Sequence, residues 1–552
     1  MARTKLFGKL ARLTTQTLAE RDVARGISRR DLLRLTLAAA GGTALSACSD
    51  LPPPFGEKDA RVVVVGAGLA GLHCAHRLQE AGIDVSVYDG WNRVGGRVFT
   101  LRNVYPDGQV AELGGEFIDS NHVTMHALAG ELGITLDDRL EDAPGTLEVW
   151  WFNGAIVPDE LIVEQFSAVA PRMLADLEAA DGDEDAFAAL DHTSLADYLA
   201  EVVPPATYPE LHELLTVAYR GEFGRETSEQ SSLNLIYLIG SDEPDPFRVF
   251  GESDERYHAR EGNDAFATRL ADSLTRPVKL GRRLTALSQR AGLYELRFVR
   301  ADGHTELVFA EHVVLAIPFT TLREVELDVP LSEEKRTIID ELAYGTNAKV
   351  VGAFRERIWR TRYDSSGSVT SDHEFQQTWD SSVGQPGEHG ILTNFLGGET
   401  GVRVGDVDPE QWFTGVVTDL EALYPGIRQV YIEGSARRMH WPSAPLFKGS
   451  YTCYAPGQWE FWSLEGVREG NIHFCGEHTS PDFQGWMEGA AETGAFAAAE
   501  ILNDLGVSYP PALSALLEEK LPQDTWGLGS VALSLLSRRR LLTARRRRHP
   551  VR

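Results

Sequence analysis

The chain of 552 residues contains only four cysteines, and none of them stands in a CxxC pair. This scarcity predicts neither a zinc ligand set nor a disulfide framework, and we expect no metal site. A second absence is a run of about 20 apolar residues, so no membrane-spanning helix is expected. Serine, histidine and aspartate also do not occur in a hydrolase-like spacing, which indicates that any redox or bond-breaking chemistry belongs to a cofactor.

Charge is unevenly distributed along the chain. The formal net charge is −28, although residues 1–47 and 538–552 are both rich in arginine. The acidic body between them would repel nucleic acid and attract cationic small molecules, and solubility alone is the simpler explanation. The length predicts at least two domains, and nothing in the sequence indicates an oligomeric state.

Residues 1–47 have the features of an export signal. Ser28-Arg29-Arg30, followed by Leu32-Leu33, is a twin-arginine arrangement, which is typical of bacterial export. The weakly apolar run that follows, up to Ala47, suits the apolar region of a signal peptide. The sequence therefore predicts export by the twin-arginine machinery to the periplasm or cell surface.

The signal ends in Leu45-Ser46-Ala47-Cys48, which resembles the lipobox of bacterial lipoproteins. The resemblance implies a lipid on Cys48 that anchors the protein to a membrane. An ordinary signal peptide cleaved nearby is the alternative, because small residues precede both kinds of cleavage site. Residues 48–57, with three consecutive prolines, then predict a stiff tether.

A dinucleotide-binding pattern follows the tether. The apolar run 60–65 predicts a buried strand, and GAGLAG at 66–71 predicts a glycine turn after it. Residues 72–79 then have a helical pattern, and residues 83–88 predict a second strand that ends at Asp89. In this pattern the glycines make the turn, admit a pyrophosphate and let helix and strand pack closely, while the acid binds a ribose. The pattern assigns cofactor binding to Gly66, Ala67, Gly68, Gly71 and Asp89.

The next residues indicate which dinucleotide is bound. Arg93-Val94-Gly95-Gly96-Arg97 resembles the second signature of FAD proteins of the glutathione-reductase type. Arg97 could meet a phosphate with two parallel hydrogen bonds. We therefore predict an α/β fold with a Rossmann-like FAD-binding domain, in which Arg93, Gly96 and Arg97 also contact the cofactor.

Beyond this point the chain resembles the flavin-dependent amine oxidases, a family that includes monoamine, polyamine and L-amino-acid oxidases. Patches of similarity run from about Arg61 to Leu502. The resemblance implies an FAD-binding domain formed by residues 58–125, 256–330 and 445–505. It implies an α+β substrate-binding domain formed by 126–255 and 331–444, and residues 506–552 are expected to be an extension with a disordered basic tail.

The resemblance also implies roles for individual residues. ELGGEFID at 112–119 is similar to the segment whose glycines pass the flavin, which implies substrate-facing roles for Glu116 and Asp119. A turn or helix cap is the alternative for Asp119. The family's lysine, which holds a water against the flavin, corresponds to Lys349, and the aromatic cage around the amine corresponds to Tyr451 and Trp486. Further cofactor contacts are implied for Gly114, Gly115, Val278, Trp441, Gly476, Glu477, Trp486 and Met487.

Two departures from family patterns refine this hypothesis. Ser450 stands where monoamine oxidases carry the cysteine that bonds to flavin; a hydroxyl cannot form that thioether, so we expect non-covalent FAD. Phe117 replaces the carboxylate-binding arginine of venom-type L-amino-acid oxidases, which weakens an amino-acid assignment without excluding it.

The predicted reaction removes a hydride from the carbon–nitrogen bond of an amine or L-amino acid and passes the electrons to O2. Its products are an imine, which hydrolyses to an aldehyde or keto acid plus ammonia, and hydrogen peroxide. Two alternatives remain: a dehydrogenase of the same fold that passes electrons to a quinone or carrier, and a catalytically silent flavin-binding lipoprotein. The sequence does not name the amine.

Overall fold

The computed structural model describes residues 61–142, 147–290 and 292–520. The predicted signal, Cys48, the tether and the basic C-terminal stretch lie outside these ranges. Within them, no helix combines the length and the apolar character needed to cross a bilayer.

The helices vary from single turns to a helix of 24 residues. In chain order they are α1 (Leu69–Glu80), α2 (Val123–Leu132), α3 (Arg139–Asp142), α4 (Asp159–Gly182), α5 (Glu184–Asp191), α6 (Leu195–Val202), α7 (Pro209–Phe223), α8 (Ser232–Leu238), α9 (Asp264–Ser273), α10 (Phe319–Leu322), α11 (Glu333–Glu341), α12 (Ile358–Thr361), α13 (Gly398–Arg403), α14 (Pro409–Leu420), α15 (Ile427–Val430), α16 (Met487–Leu505) and α17 (Pro511–Lys520).

The strands form two four-stranded sheets, one seven-stranded sheet and two short pairs within the described ranges. In chain order they are β1 (Val62–Val65), β2 (Val85–Tyr88), β3 (Thr100–Leu101), β4 (Ala111–Glu112), β5 (Leu136–Asp138), β6 (Leu147–Phe152), β7 (Ala155–Val157), β8 (Tyr257–Ala259), β9 (Arg282–Arg290), β10 (Leu293–Arg300), β11 (Thr305–Ala310), β12 (His312–Leu315), β13 (Glu326–Asp328), β14 (Ala348–Phe354), β15 (Ser365–Ser371), β16 (Gln377–Asp380), β17 (Gly390–Leu396), β18 (Arg437–His440) and β19 (Ile472–Phe474).

A parallel sheet in the order β19-β12-β1-β2 confirms the predicted α/β fold. The four consecutive valines of β1 are all buried, as expected for a central parallel strand covered on both faces. Val62 and Val64 face the core formed with α1 and α16, whereas Val63 and Val65 face the core under the β9–β11 sheet. The four strands come from three separate stretches of chain, each lying within one of the segments assigned to FAD binding.

The second half of the molecule is built on the sheet β18-β14-β17-β16-β15-β6-β7. Strand β14, which lies between β18 and β17, is buried along its whole length and carries Lys349. Helices α4 to α8 pack around a separate apolar core next to this sheet. These two layers bring side chains from residues 148–255 and 347–395 up to the edge of the parallel sheet.

Helix α17 is part of the folded core, although it falls within the stretch predicted to be an extension. Leu513, Leu516 and Leu517 are buried with residues of α1 and α16. The Lys520 ammonium forms ion pairs of 2.6 Å with Glu488 and 2.8 Å with Glu492. The fold therefore continues at least to Lys520.

Candidate active site

A cavity of about 550 Å³ lies where the parallel sheet meets the seven-stranded sheet. It opens beyond the carboxyl ends of β1, β12 and β19, where α/β sheets bind their ligands. Residues of the glycine turn line one part of it, and Lys349, Tyr451 and Trp486 line another. The structure thus brings into one space residues that are more than 400 positions apart in sequence.

The glycines of the first turn are needed for different structural reasons. Gly66 has φ of +111°, and a Cβ there would lie 2.3 Å from the carbonyl oxygen of Ala316. A Cβ on Gly71, which lies in α1 behind the cavity lining, would come 2.0 Å from the Gly66 carbonyl oxygen. Gly68 instead has an extended backbone with φ of −74°, and no atom lies within 4 Å of the place its Cβ would take. Gly68 also lines the cavity, so its missing side chain leaves room at the N-terminus of α1.

Asp89 is fixed at the end of β2. Its two carboxylate oxygens accept backbone N–H groups, from Ala67 at 2.6 Å and from Trp91 at 2.7 Å. Burial raises the pKa of Asp89, and these two hydrogen bonds act against that shift. Asp89 lines the cavity. Ala67 is not part of the lining, and the hydrogen bond from its N–H to Asp89 holds it in the turn. Each carboxylate oxygen keeps a lone pair for a hydroxyl donor.

The two arginines of the second signature have separate surroundings. The Arg93 guanidinium donates to the carbonyl oxygens of Val94, Gly96 and Val98 and lies outside the cavity lining. Burial lowers its pKa to about 10. Arg97 lines the cavity, where its guanidinium pairs with Glu477 at 2.8 Å. Arg93 therefore stabilises the loop, and Arg97 is the arginine that a cavity ligand can reach.

Lys349 forms a buried ion pair with Glu116. Its ammonium lies 2.7 Å from the carboxylate and donates to the Gly114 carbonyl oxygen at 2.9 Å. The other oxygen of Glu116 accepts the hydroxyl of Ser381 at 2.7 Å. Burial raises the pKa of Glu116, but the Lys349 ammonium outweighs it and leaves the pKa below its usual value. Glu116 lines the cavity and there contacts the predicted catalytic lysine, and its substrate-facing role stays a prediction.

The start of α16 and the preceding loop form an aromatic corner of the cavity. Trp486 precedes the first residue of α16, so the helix N-terminus faces the cavity. The ring of Tyr451 lies 3.4 Å from the Cβ position of Gly485, and its hydroxyl donates to the Glu222 carbonyl oxygen. Burial raises the pKa of Tyr451 well above its usual range, which keeps the phenol neutral.

Gly476 and Glu477 connect this corner to the arginine of the second signature. Gly476 has φ of +148° and would place a Cβ 2.5 Å from the ring of His478. Glu477 accepts from Arg97 through one oxygen and from the Gly485 N–H at 2.9 Å through the other. The carboxylate therefore ties β19, the second signature and the start of α16 to one another.

Comparison with known proteins identifies the family. A model of flavin-containing amine oxidoreductases matches residues 69–502. The chain belongs to this family. It is 24% identical over 466 residues to an L-amino-acid oxidase of Mus musculus, covering 82% of this chain and 72% of that protein. It is 25% identical over 472 residues to the flavin-containing amine oxidase B of Homo sapiens, covering 81% and 86%.

Solved structures show the same fold. The cyclohexylamine oxidase of Brevibacterium oxydans superposes with a TM-score of 0.70 at 21% identity, covering 81% of this chain and all of that chain (100%). Wild-type putrescine oxidase bound to putrescine gives a TM-score of 0.68 at 21% identity, covering 80% and 99%. The family match and the curated relatives establish an FAD-dependent amine oxidoreductase, and these solved structures show that the fold is shared.

The cavity fits FAD. Gly68 lies opposite Gly96, whose Cβ would be 3.3 Å from the Gly68 Cα, so both leave backbone accessible at the start of α1. A Cβ on Gly114 would lie 1.8 Å from the Arg97 carbonyl oxygen, and one on Gly115 would lie 2.9 Å from the Met487 side chain. Because neither glycine has a side chain, the backbone at Gly114 and Gly115 can pass close to Arg97 and Met487, which line the cavity. The chain's own residues that would hold the cofactor are Gly66, Gly68, Asp89, Gly96, Arg97, Gly114, Gly115, Trp441, Gly476, Glu477, Trp486 and Met487, all of which line the cavity.

The residues around Ser450 are consistent with non-covalent FAD. Ser450 lines the cavity, and its hydroxyl donates to the side chain of Asn347 at 2.6 Å. Cys453 is buried outside the lining, with its sulfur 3.8 Å from the Asn234 amide nitrogen. Trp441 also lines the cavity, and its indole N–H donates to the Leu113 carbonyl oxygen at 3.1 Å.

Two of the predicted contact residues, Asp119 and Val278, are not part of the cavity lining. Asp119 does not reach the cavity, because its carboxylate turns to the backbone N–H of Glu255 at 2.9 Å. Val278 packs against the core around α1. Leu284, six residues later on β9, lines the cavity instead.

Sequence reasoning missed an acidic and aromatic part of the lining. Its carboxyl groups belong to Glu148, Glu222 and Glu255. Aromatic side chains of Trp150, Phe223, Phe247, Phe250 and Trp379 lie in the same lining. No motif signals these residues, because they come from a strand, the end of a helix and irregular loops that only the tertiary fold brings together.

Proposed function

We propose that this chain is an oxidase for an amine or L-amino acid, with Lys349, Tyr451 and Trp486 around the reacting carbon–nitrogen bond. FAD, when bound, supplies the redox chemistry: it takes a hydride from the carbon next to nitrogen and returns the electrons to O2. The products are an imine, which hydrolyses to an aldehyde or keto acid with ammonia, and hydrogen peroxide. The observation that carries the proposal is that these three residues line the same cavity as Gly66 and Gly68 of the glycine turn.

The protein contributes position and exclusion of water. The two rings of the aromatic corner hold an amine against one face of the cavity and cover it from solvent. The Lys349 ammonium donates to the Glu116 carboxylate and the Gly114 carbonyl oxygen, with a longer contact of 3.4 Å to the Glu112 carbonyl oxygen. Lys349 lines the cavity, where its ammonium can exchange the longest of these contacts for a water molecule or for oxygen. No protein base is required if the amine binds in its neutral form.

Removing the aromatic corner tests this arrangement. In the double variant Tyr451→Ala and Trp486→Ala, kcat/KM for the best amine should fall about 100-fold, because the substrate loses its orienting contacts. Tyr451→Phe is the matched control and should stay within a few fold, since it keeps the ring. Steady-state oxygen consumption measures both, with flavin absorbance as a check on cofactor content. Unchanged turnover in the double variant would refute the assignment.

Hydrogen peroxide distinguishes the oxidase from the two alternatives. An oxidase releases one peroxide per amine consumed. A dehydrogenase of the same fold would be reduced by amine but consume oxygen slowly and require a quinone or another carrier. A silent binding protein would not be reduced at all. The buried Lys349–Glu116 ion pair lies in the lining of the predicted FAD cavity and supports a catalytic protein.

We also propose that the protein works outside the cytoplasm. The twin-arginine pattern at residues 28–30 and the lipobox ending at Cys48 support export and lipid anchoring. The twin-arginine route carries folded proteins, so FAD can be bound before transport. This sequence of events explains why one chain combines an export signal with a non-covalent cofactor.

Changing Arg29 and Arg30 to lysine tests the export proposal. We expect a yellow, active enzyme that stays in the cytoplasm, measured by cell fractionation and flavin content. Cys48→Ser is the companion variant and should be exported but released from the membrane. Normal export of the double-lysine variant would contradict the twin-arginine assignment.

A further inference from the structure

Three carboxyl groups of the cavity lining have no partner among the described residues. Glu148 lies on β6, Glu222 in the last turn of α7, and Glu255 in the loop before β8. Within the described residues, no hydrogen bond or ion pair connects these carboxyl groups to another group. Two other acids of the lining are paired: Glu116 forms an ion pair with Lys349, and Glu477 forms one with Arg97.

The backbone of Glu255 is held in an unusual conformation that fixes its position. Its φ is +44°, a region that residues other than glycine rarely adopt. Its N–H donates to Asp119 at 2.9 Å, and its carbonyl oxygen accepts from Arg139 at 3.2 Å. The buried Asp119 and the half-buried Arg139 therefore both bind the backbone of Glu255 and leave its carboxyl group free to face the cavity. Strained residues held in this way are concentrated at functional sites.

The electrostatic surroundings of these acids favour a cation. Burial raises the pKa of Glu255 to about 8; Arg139 opposes the shift, and Glu222, Asp119 and Glu148 add to it. Burial, followed by the charge of Asp119, raises the pKa of Glu222 to about 7. The nearby arginine of the lining, Arg248, is paired with Asp242 at 2.7 Å.

The reacting nitrogen is not the cation that these acids suit. Loss of a hydride from the neighbouring carbon requires the lone pair of a neutral amine, whereas nearby carboxylates stabilise the protonated form. The acids therefore match a positive group elsewhere on the substrate. Phe223 follows Glu222, and Trp150 lies two residues after Glu148 on β6. Both rings line the cavity and can cover the hydrocarbon between two nitrogens.

We propose that Glu148, Glu222 and Glu255 bind a second, non-reacting cationic group of the substrate. The preferred substrates are then dications such as α,ω-diamines, and simple monoamines and neutral amino acids are poor substrates. This inference rests on the proposed amine oxidase function and assigns its substrate class. Asp119 and Arg139 act as positioning residues, because they hold the backbone of Glu255.

The test compares 1,4-diaminobutane with n-butylamine, which has the same carbon chain and one nitrogen fewer. The wild-type holoenzyme should favour the diamine by about 100-fold in kcat/KM. In Glu222→Gln/Glu255→Gln, the KM for the diamine should rise about 10- to 100-fold, as expected when a charged hydrogen-bond partner is lost. The kinetics of n-butylamine should change less than about threefold. Glu164→Gln, which removes an exposed carboxyl from α4, should behave like the wild type with both substrates.

Calorimetric titration of 1,4-diaminobutane into the anaerobic holoenzyme measures binding separately from turnover. Weaker binding to the double variant, with normal binding to Glu164→Gln, supports the assignment. Equal binding to wild type and double variant, a preference of the wild type for n-butylamine, or equal losses for both amines would overturn it. If no amine is oxidised, the proposed function fails, and the calorimetry still decides whether these acids bind a dication.

Discussion

Lys349→Met is expected to lower turnover of the best amine by about 10²- to 10⁴-fold, the range typical of a lost proton-handling group. It should also lower the free energy of unfolding by about 3–5 kcal/mol, because it leaves the buried Glu116 carboxylate without its counterion. The ion pair measures 2.7 Å, and the two side chains are only 7% and 5% exposed. Oxygen consumption and denaturant unfolding of the holoenzyme measure the two effects.

The double variant Lys349→Met/Glu116→Gln separates the two effects. Removing both charges should restore most of the lost stability, since no unpaired charge remains buried. Turnover should stay low, because the ammonium beside the Gly114 carbonyl oxygen is still missing. Recovery of turnover along with stability would show that Lys349 acts only in holding the fold together.

Gly68→Val is expected to give a folded protein without FAD. The backbone at Gly68 has φ of −74°, and no atom lies within 4 Å of its Cβ position, so a Cβ there meets neither backbone strain nor a protein atom. The same side chain would occupy the space at the N-terminus of α1 where the pyrophosphate is expected. We expect FAD affinity to fall at least about 100-fold, equivalent to close to 3 kcal/mol. The unfolding free energy of the apoprotein should change by no more than about 1 kcal/mol.

Gly415→Ala is the matched control for this prediction. Gly415 lies in α14, is exposed, and also has no atom within 4 Å of its Cβ position. Its alanine variant should keep a full complement of FAD and gain slightly in stability, as is usual in a helix interior. Flavin absorbance after gel filtration and titration of the apoprotein measure the comparison. Full retention of FAD by Gly68→Val would remove the glycine turn from the cofactor site.

Local sequence patterns predicted the parts of the fold that depend on local chemistry. Four valines before a glycine turn specify a buried parallel strand, because such a strand is apolar on both faces. Gly71 was predictable from the same local pattern, because its close approach is to the Gly66 carbonyl oxygen in the same turn, whereas the close approach at Gly66 is to the distant Ala316. The Lys349 and Trp486 positions came from the family resemblance.

The sequence could not predict the side chains whose direction depends on distant contacts. Asp119 follows a glycine motif, but the backbone N–H of Glu255, 136 residues away, determines where its carboxylate points. Glu222 and Glu255 carry no motif and reach the cavity only after α7 and the loop before β8 have packed. Lys520 was assigned to an extension because its pairing with Glu488 and Glu492 cannot be read from the local sequence.

The central claim is that bound FAD takes a hydride from an amine and gives the electrons to oxygen. The most direct test mixes the purified holoenzyme without oxygen with primary amines, diamines and L-amino acids, and follows the flavin absorbance. We predict that at least one amine bleaches the flavin and that admitting O2 restores the colour with one hydrogen peroxide per flavin. Bleaching that O2 does not reverse would contradict the oxidase and favour the dehydrogenase. A flavin that no amine bleaches would contradict amine oxidation itself.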